Sequence, residues 1–223
     1  MKLSQRLKTI DSFVTRKYDH IWDCCCDHGL LGQALLKRNA ATTVHFVDVV
    51  ESLMVNVQSQ LERFFPENNV GASWKVHCLN VAALPIASAD TVTATHLIII
   101  AGVGGELVIE LVKAIKEANP NHHMEFLLCP VHHNYKVRQA LIRMGFGLID
   151  EALLLENKRF YEVMHVSQQA NGVLVNVGSK MWDLSRTVDQ AYLASIISHY
   201  RRMSNNPDQD VSHALSDYLA LNR

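Results

Sequence analysis

The feature that most constrains the fold is the alternation of apolar and amphipathic segments along the first two thirds of the chain. Continuous apolar or β-branched runs predict buried strands, and runs with apolar residues three and four positions apart predict helices. The predicted strands are 20–25, 42–48, 73–79, 96–101 and 125–129, and the predicted helices are 3–14, 30–39, 51–65, 106–118 and 135–144. Strands separated by helices of about 10–15 residues are typical of an α/β fold with a parallel sheet and right-handed crossovers.

The pattern changes toward the end of the chain. Segments 148–156 and 159–167 are predicted strands joined by the tight turn Asn157-Lys158. So short a connection can join only antiparallel strands, because parallel strands need a long crossover. After about Gly172 the sequence becomes polar and helical, with predicted helices 182–203 and 211–221 on either side of Asn205-Asn206-Pro207. We therefore divide the chain into a sheet domain, 1–170, and a C-terminal helical extension, 171–223.

Charge and composition limit the partners and the compartment. The chain carries 21 Lys and Arg against 22 Asp and Glu, a formal net charge of -1. A nucleic-acid-binding domain is usually basic, so any RNA site must be a local patch. The candidate patch is the N-terminal cluster Lys2, Arg6, Lys8, Arg16 and Lys17.

No segment predicts a signal peptide or a membrane helix. The longest apolar stretch is 97–103, far short of the roughly 20 residues that a membrane helix needs. The five cysteines are an odd number, and three of them are adjacent. Such a pattern is typical of free thiols in a reducing compartment, so we expect a cytoplasmic protein.

Candidate binding residues recur where predicted strands end. In an open α/β sheet, ligands bind at the carboxyl ends of the strands, near the point where the strand order reverses. The loop after the first strand combines acids with small residues that let the backbone approach a ligand, namely Asp23, Cys25, Asp27, His28 and Gly29. Two acids there would repel a phosphate and favour a cationic or amine-bearing ligand.

The later strand ends continue this series. Asp48, about twenty residues beyond the first loop, is placed to accept hydrogen bonds from the ribose hydroxyls of an adenosine-type cofactor. The amide of Asn80 could contact an adenine edge. A glycine-rich turn, 101–106, follows the fourth strand, and His132 and His133 follow the fifth. The first loop lacks the G-x-G-x-x-G pattern, which counts against a nicotinamide-dependent oxidoreductase.

The adjacent cysteines do not predict a metal site. Structural zinc takes cysteines spaced as C-x₂₋₄-C with a second pair elsewhere, and adjacent residues on a strand point to opposite faces. We interpret Cys24, Cys25 and Cys26 as small, mostly buried residues, and we expect no metal.

Taken together, these motifs resemble the class I S-adenosylmethionine methyltransferases, and more narrowly the TrmK family of tRNA (adenine-22, N1) methyltransferases. The resemblance covers roughly residues 3–166. It rests on Leu3-Ser4-x-Arg6-Leu7, Asp23-x-x-x-Asp27-His28, Ile100-Ala101-Gly102-x-Gly104-Gly105, Pro130, Arg138, Leu148-Ile149-Asp150-Glu151 and Tyr161-Glu162-Val163. The chain departs from the family at Cys25, where a glycine is expected, at Val131, where an asparagine is expected, and in its shortened C-terminal part.

The resemblance implies a Rossmann-like methyltransferase sheet of seven strands, the last antiparallel, and S-adenosyl-L-methionine as the cofactor. It implies tRNA as partner, engaged through the N-terminal basic patch and the C-terminal helices. The implied cofactor-binding residues are Asp23, Cys25, Gly29, Asp48, Val49, Asn80, Val81, Ala101, Gly102 and Gly104.

The implied reaction is methylation of N1 of an adenine. Asp27 would stabilise the positive charge that methylation leaves on the ring, and His28 or His133 would accept a proton. Two alternatives stay open. One is a methyltransferase acting on another RNA position or a small metabolite. The other is a non-catalytic module that binds the cofactor.

Overall fold

The computed structural model describes residues 3–66, 71–89, 92–206 and 211–221. Strands and helices alternate through the first 143 residues. The elements in chain order are α1 (Gln5–Phe13), β1 (Tyr18–Cys24), α2 (Leu30–Lys37), β2 (Ala41–Asp48), α3 (Glu51–Phe64), β3 (Ser73–Cys78), a 3₁₀ helix (Val81–Ala83), α4 (Ile86–Ala89), β4 (Thr95–Ala101), α5 (Gly105–Ala118), β5 (His123–Cys129), α6 (Asn134–Arg143), β6 (Gly147–Glu156), β7 (Arg159–Ser167), α7 (Thr187–Met203) and α8 (Ser212–Ala220).

The strands form one mixed sheet within the described residues. Its seven strands lie in the order β3-β2-β1-β4-β5-β7-β6. Strands β1 to β5 pair in parallel, and β7 is antiparallel to both of its neighbours, β5 and β6. This confirms the predicted Rossmann-like methyltransferase sheet. The strand order reverses between β1 and β4, so the ligand crevice is expected at the carboxyl ends of these two strands.

The central strands are apolar because helices cover both faces of the sheet. On one face Phe46 and Ile99 pack with α1, α2 and α3. On the other face Trp22 and Ile98 pack with α5 and α6. Alternate residues of a strand point to opposite faces, so a strand covered on both sides is apolar at nearly every position. This explains the continuous apolar run that predicted β4.

Local signals in the sequence set several boundaries correctly. The side chain of Ser4 accepts a hydrogen bond from the backbone N–H of Leu7 and caps α1. Asn157 and Lys158 both have positive φ, the conformation of the two-residue turns that join antiparallel strands. Gly145 follows α6 with a φ of 78°.

Two predictions in the helical regions need correction. The structure adds the 3₁₀ helix and α4 between β3 and β4, which are too short to produce a periodic signal. Helix α7 begins at Thr187, five residues after the predicted start at Trp182. The indole of Trp182 donates to the carbonyl of Val177, and the N–H of Asp183 donates to the carboxylate of Asp189. These bonds hold the segment in an irregular conformation. Within the predicted breaker, Pro207 lies outside the described residues.

The C-terminal extension is hydrogen-bonded to a buried ion-pair network that joins α6, β6 and β7. Arg138 of α6 lies 2.7 Å from the carboxylate of Glu151 and 2.8 Å from that of Glu162, and all three side chains are fully buried. Glu151 also accepts hydrogen bonds from the backbone N–H of Lys180, and Tyr192 of α7 donates to Glu162. Removing one partner of such a network leaves a buried charge uncompensated, which is strongly destabilising. The extension is therefore fixed against β6 and β7. None of the helices in the described ranges is both long and apolar enough to span a bilayer.

Candidate functional site

A cavity of about 190 Å³ opens where the strand order reverses. Its wall combines the N-terminal helix, the loop between β1 and α2, and the turn after β4. The lining residues are Arg6, Leu7, Asp23, Cys24, Cys25, Cys26, Asp27, His28, Leu30, Leu31, Ala101, Gly102 and Val103. Six of the predicted site residues are among them, namely Asp23, Cys25, Asp27, His28, Ala101 and Gly102. The cavity thus lies where the strand-end argument expected a ligand.

The first loop has an unusual backbone. Cys25, Asp27 and Gly29 all have positive φ, at 55°, 51° and 65°. This region is sterically costly for residues with a Cβ, so Cys25 adopts the conformation that a glycine would adopt more easily. Burial, with the charges of Asp48 and Asp23, raises the pKa of the Cys25 thiol to about 11. The thiol is therefore neutral at physiological pH.

Asp23 is buried at the end of β1, with 4% of its surface exposed. Its carboxylate accepts a hydrogen bond of 2.8 Å from the backbone N–H of Gly32 in the first turn of α2. Burial raises its pKa to about 7, the Gly32 bond opposes this shift, and the charge of Asp48 adds to it. An approaching cation would stabilise the ionised form of Asp23.

Asp48, the last residue of β2, is hydrogen-bonded to the loop that follows β1. One carboxylate oxygen accepts from the N–H of Asp27 at 3.1 Å, and the other accepts from the N–H of Val50 at the same distance. Asp48 does not line the 190 Å³ cavity, but its bond to Asp27 places it beside the first loop. The adjacent Val49 is 64% exposed, so this edge is open to solvent.

The residues after β3 divide between surface and core. The side-chain oxygen of Asn80 accepts from the N–H of Ala82 and caps the 3₁₀ helix. With the oxygen engaged in this cap, the hydrogen-bond donors of the Asn80 side chain are the N–H groups of its amide nitrogen. Val81 is 3% exposed and belongs to the core. Its proposed contact with a cofactor could therefore involve only its backbone.

The glycine turn after β4 separates two sets of side chains. Gly102, with a φ of 84°, faces the guanidinium of Arg6, and a Cβ at this position would lie 3.6 Å from Nη2. A Cβ on Gly104 would lie 2.7 Å from the ring of His132. Gly102 therefore lines the cavity, whereas Gly104 faces the histidines after β5.

Arg6 is the main residue that the sequence argument placed elsewhere, because it was grouped with the N-terminal basic patch. Its guanidinium lies 5.1 Å from the centre of the Tyr161 ring and lines the cavity. Its Nε is buried and has no hydrogen-bond partner among the residues that the structure describes. The Arg6 within the Leu3-Ser4-x-Arg6-Leu7 motif was the signal that could have identified it.

The other described members of the predicted basic patch do not line this cavity. Arg16 forms an ion pair of 2.6 Å with Glu125, at the amino edge of the sheet. Lys8 and Lys17 are exposed, and Lys2 lies outside the described residues. The structure therefore separates Arg6 from Arg16.

The three predicted catalytic residues lie on two loops. Asp27 and His28 are neighbours with 3.6 Å between carboxylate and imidazole, and both are largely exposed. His133 lies after β5 and contacts Glu106 of α5. The hydrogen bond from His133 lowers the pKa of Glu106 to about 2. Glu106 was not among the predicted site residues, because it is 26 positions from His132 and 27 from His133 in sequence.

The sequence of this chain is similar to those of known methyltransferases. A family model described as a methyltransferase domain matches residues 3–164. The tRNA (adenine(22)-N(1))-methyltransferase of Bacillus subtilis (strain 168) is 23% identical over 164 residues, which are 74% of this chain. The chain spans 64% of the length of that relative.

Two solved structures share the fold over nearly the whole chain. The structure of M. capricolum TrmK in complex with S-adenosyl-homocysteine has a TM-score of 0.76 at 13% identity, covering 99% of this chain and 94% of that one. The structure of the B. subtilis m1A22 tRNA methyltransferase TrmK has a TM-score of 0.70 at 20% identity, covering 98% and 95%. The shared fold includes the C-terminal extension, which lies beyond the residues that the family model matches. Because the alignments cover 94% and 95% of these two chains, the expectation that the C-terminal part is shortened was wrong with respect to them.

Proposed function

The chain belongs to the methyltransferase domain family, and on that premise we propose that it transfers the methyl group of S-adenosylmethionine to N1 of an adenine in tRNA. The observation that carries the proposal is the cavity at the reversal of strand order, where Arg6, the first loop and the turn after β4 meet. The B. subtilis relative, a tRNA (adenine(22)-N(1))-methyltransferase, supports the choice of base and RNA.

The cavity fits the methionine end of the cofactor in charge and in size. This end carries a carboxylate, an ammonium and a sulfonium. Arg6 offers a buried Nε for which the described part of the chain provides no hydrogen-bond partner. We therefore assign Arg6 to the carboxylate, since guanidinium and carboxylate pair favourably. Asp23 is a buried acid in the wall of the same cavity, and we assign it to the cationic groups. A cavity of about 190 Å³ is smaller than a whole-ligand pocket of roughly 300–1,000 Å³, so the nucleoside would lie across the open edge.

The nucleoside end is assigned to the neighbouring strand ends. Asp48 would accept hydrogen bonds from the ribose hydroxyls, and its bonds to the N–H groups of Asp27 and Val50 fix its orientation. The amide nitrogen of Asn80 would donate to the adenine ring, because the oxygen of this side chain already caps the 3₁₀ helix. Val49 and the backbone of Val81 would contact the adenine. Cys25, Gly29, Ala101, Gly102 and Gly104 would bring the backbone close.

When bound, S-adenosylmethionine supplies a methyl group already activated by the sulfonium, so the task of the protein is mainly positioning. The target N1 is occupied by base pairing inside RNA helices, so the adenine must be unstacked and held at the mouth of the cavity. The carboxylate of Asp27 would stabilise the positive charge that develops on the ring. His28 or His133 would hold the proton if the ring loses one. Substrate tRNA also implies a cytoplasmic location, and the free cysteines agree with it.

Calorimetry tests the cofactor half of the proposal. We expect the full chain to bind S-adenosylmethionine, and Arg6→Gln to weaken binding by roughly 10- to 100-fold, because a charge-assisted hydrogen bond contributes about 1.5–3 kcal/mol. Lys8→Gln is the matched control, since it removes an exposed charge from the same helix. Equal affinity in the Arg6 and Lys8 variants would remove the carboxylate assignment.

Nucleoside analysis tests the substrate half. Unmodified tRNA incubated with enzyme and cofactor should yield 1-methyladenosine, and the position should follow from a reverse-transcription stop. Methylation of another nucleoside, or of a small molecule only, would refute the adenine N1 assignment while leaving the cofactor site intact. Cofactor binding without transfer to tRNA would indicate a binding module.

A further inference from the structure

A second cluster of chemically competent side chains lies outside the lining of the cavity. Glu106, His132 and His133 place a carboxylate oxygen and two imidazole nitrogens within 4.8 Å of one another. No other group of three such side chains meets this condition in the described part of the chain. The cluster lies on the rim of the sheet formed by the ends of β4 and β5.

The backbone holds the three side chains facing each other. Strands β4 and β5 are adjacent and parallel, so the loops that follow them meet at one edge. Glu106 lies in the first turn of α5, and His133 precedes α6 with a φ of 63°. A left-handed conformation is unusual for histidine, and here it turns the ring toward Glu106.

Two glycines provide the space that the imidazoles occupy. A Cβ on Gly104 would lie 2.7 Å from Cε1 of His132. A Cβ on Gly105 would lie 2.7 Å from the carbonyl oxygen of His132 and 3.0 Å from Cβ of His133. A Cβ essentially never lies as close as 2.7 Å to an atom to which it is not bonded, so a side chain at position 104 would displace the His132 ring and one at position 105 would displace the His132 backbone. Glycine at positions 104 and 105 is therefore needed for His132 and His133 to lie where they do, and this requirement does not involve the cavity.

The contacts that Glu106 makes in this cluster are solvent-exposed, so a bound cation could replace Lys136. Glu106 contacts Nδ1 of His133 through one oxygen and lies 3.8 Å from Nδ1 of His132 through the other. The ammonium of Lys136 lies 3.5 Å from Glu106, and its side chain is 63% exposed. Lys136 can therefore withdraw into solvent when another cation approaches.

We propose that Glu106, His132 and His133 bind one divalent transition-metal ion of the zinc class. Two imidazoles and one carboxylate form a set that Zn²⁺ and Co²⁺ prefer, whereas Ca²⁺ and Mg²⁺ take mainly oxygen ligands. All three side chains are about half exposed, so water completes the coordination. The bound ion would connect the loops after β4 and β5. The proposed metal site does not depend on the proposed methyl transfer; with the ion bound to His133, His28 would be the residue that holds a proton in that reaction.

The test is metal titration of the tag-free full chain after treatment with a chelator. We expect one equivalent of Co²⁺ to produce visible absorption bands of a low-symmetry site, and Zn²⁺ to displace it and to raise the Tm. Glu106→Gln and the double variant His132→Asn/His133→Asn should each weaken binding by more than the roughly 10- to 100-fold that loss of an outer-shell partner produces. Asparagine tolerates the left-handed conformation at position 133, so the fold should persist.

His123→Asn is the matched control, because His123 is an exposed histidine at the opposite end of β5. The proposal is overturned if the wild-type chain binds no Co²⁺, if Glu106→Gln binds it as tightly as the wild type, or if His123→Asn loses it equally. Circular dichroism of each variant separates lost ligation from lost folding. If either Glu106→Gln or the double histidine variant does not fold, the metal affinity of the other variant decides the result.

Discussion

Two carboxylates at opposite edges of the same sheet have opposite surroundings. Glu125, at the amino edge, accepts hydrogen bonds from Arg16, Tyr18 and His165 at 2.6, 2.6 and 2.8 Å. Burial opposes its ionisation, but these partners outweigh burial and lower its pKa to about 2. Asp23, at the carboxyl edge, has the Gly32 N–H as its hydrogen-bond donor, and its pKa is raised to about 7.

The difference separates a structural carboxylate from one that a ligand can complete. Glu125 has partners on both oxygens, so a ligand would have to displace bonds already made. Asp23 lies at the wall of a cavity, where desolvation and the charge of Asp48 disfavour its ionised form. A cation bound there would add to the Gly32 hydrogen bond in stabilising the ionised form that burial disfavours. Strongly perturbed acids in a cleft are candidates for function on this ground.

The largest expected effect is the loss of the amino-edge cluster. Glu125→Ala leaves the hydroxyl of Tyr18 and the ring of His165 without their acceptor, so we expect the free energy of unfolding to fall by roughly 2–4 kcal/mol. Urea unfolding monitored by circular dichroism measures the change. Cofactor affinity, determined on the folded variant, should stay within about twofold of wild type. A large loss of affinity with little loss of stability would reverse the roles of the two edges.

The pH dependence of stability should carry the opposite sign at the carboxyl edge. The pKa of Asp23 is higher in the folded state than its ordinary value of 3.8, so its contribution is fully present below about pH 4 and is lost as the pH rises to about 7. Asp23→Asn should remove this loss. We therefore expect the difference in free energy of unfolding between variant and wild type to be roughly 2–4 kcal/mol more favourable to the variant at pH 8 than at pH 4. Unfolding curves at both pH values measure it, and parallel stability profiles would contradict it. Glu125, whose pKa is lowered, should lose its contribution as the pH falls from about 5 to about 2.

A smaller effect is expected from the ribose assignment. Asp48→Ala should weaken S-adenosylmethionine binding by roughly 10- to 100-fold, because two hydroxyl hydrogen bonds to a carboxylate are lost. Glu51→Ala is the control, as it removes an exposed acid three residues away. Calorimetry compares the two variants. Equal affinities would place the ribose elsewhere along the edge.

The smallest effect is expected at the mouth of the cavity. The side chain of Asp27 is 70% exposed, and water screens its charge. Asp27→Asn should therefore lower kcat for tRNA methylation by only about threefold to tenfold while cofactor affinity stays constant. Single-turnover kinetics measure the chemical step. A change in cofactor affinity without a change in kcat would assign Asp27 to cofactor binding alone.

Periodicity and turn chemistry predicted most of the fold. The strands from β1 to β7 and the helices α1, α2, α3, α5 and α6 follow from local patterns, since each must bury one face or both. The 3₁₀ helix and α4 were missed, because elements of three and four residues have no period to detect. The start of α7 was misplaced, because the bonds of Trp182 and Asp183 that hold the preceding segment irregular depend on the tertiary fold.

The candidate site divides in the same way. The strand-end rule brought Asp23, Asp27 and Gly102 to one cavity without any knowledge of side-chain directions. It could not show that Arg6 reaches this cavity from α1, nor that Glu106 meets His133. Both contacts join side chains far apart in sequence, and their formation depends on how the helices pack on the sheet.

The sequence by itself determined the order of strands and helices, the antiparallel final strand and the edge of the sheet where a ligand belongs, because these depend on spacing, burial and the geometry of parallel connections. The tertiary structure alone decided that Glu125 has hydrogen-bond partners on both carboxylate oxygens and that Asp23 lies buried in the wall of a cavity. That distinction depends on distances of about 3 Å between side chains from different elements, and no local pattern encodes such distances.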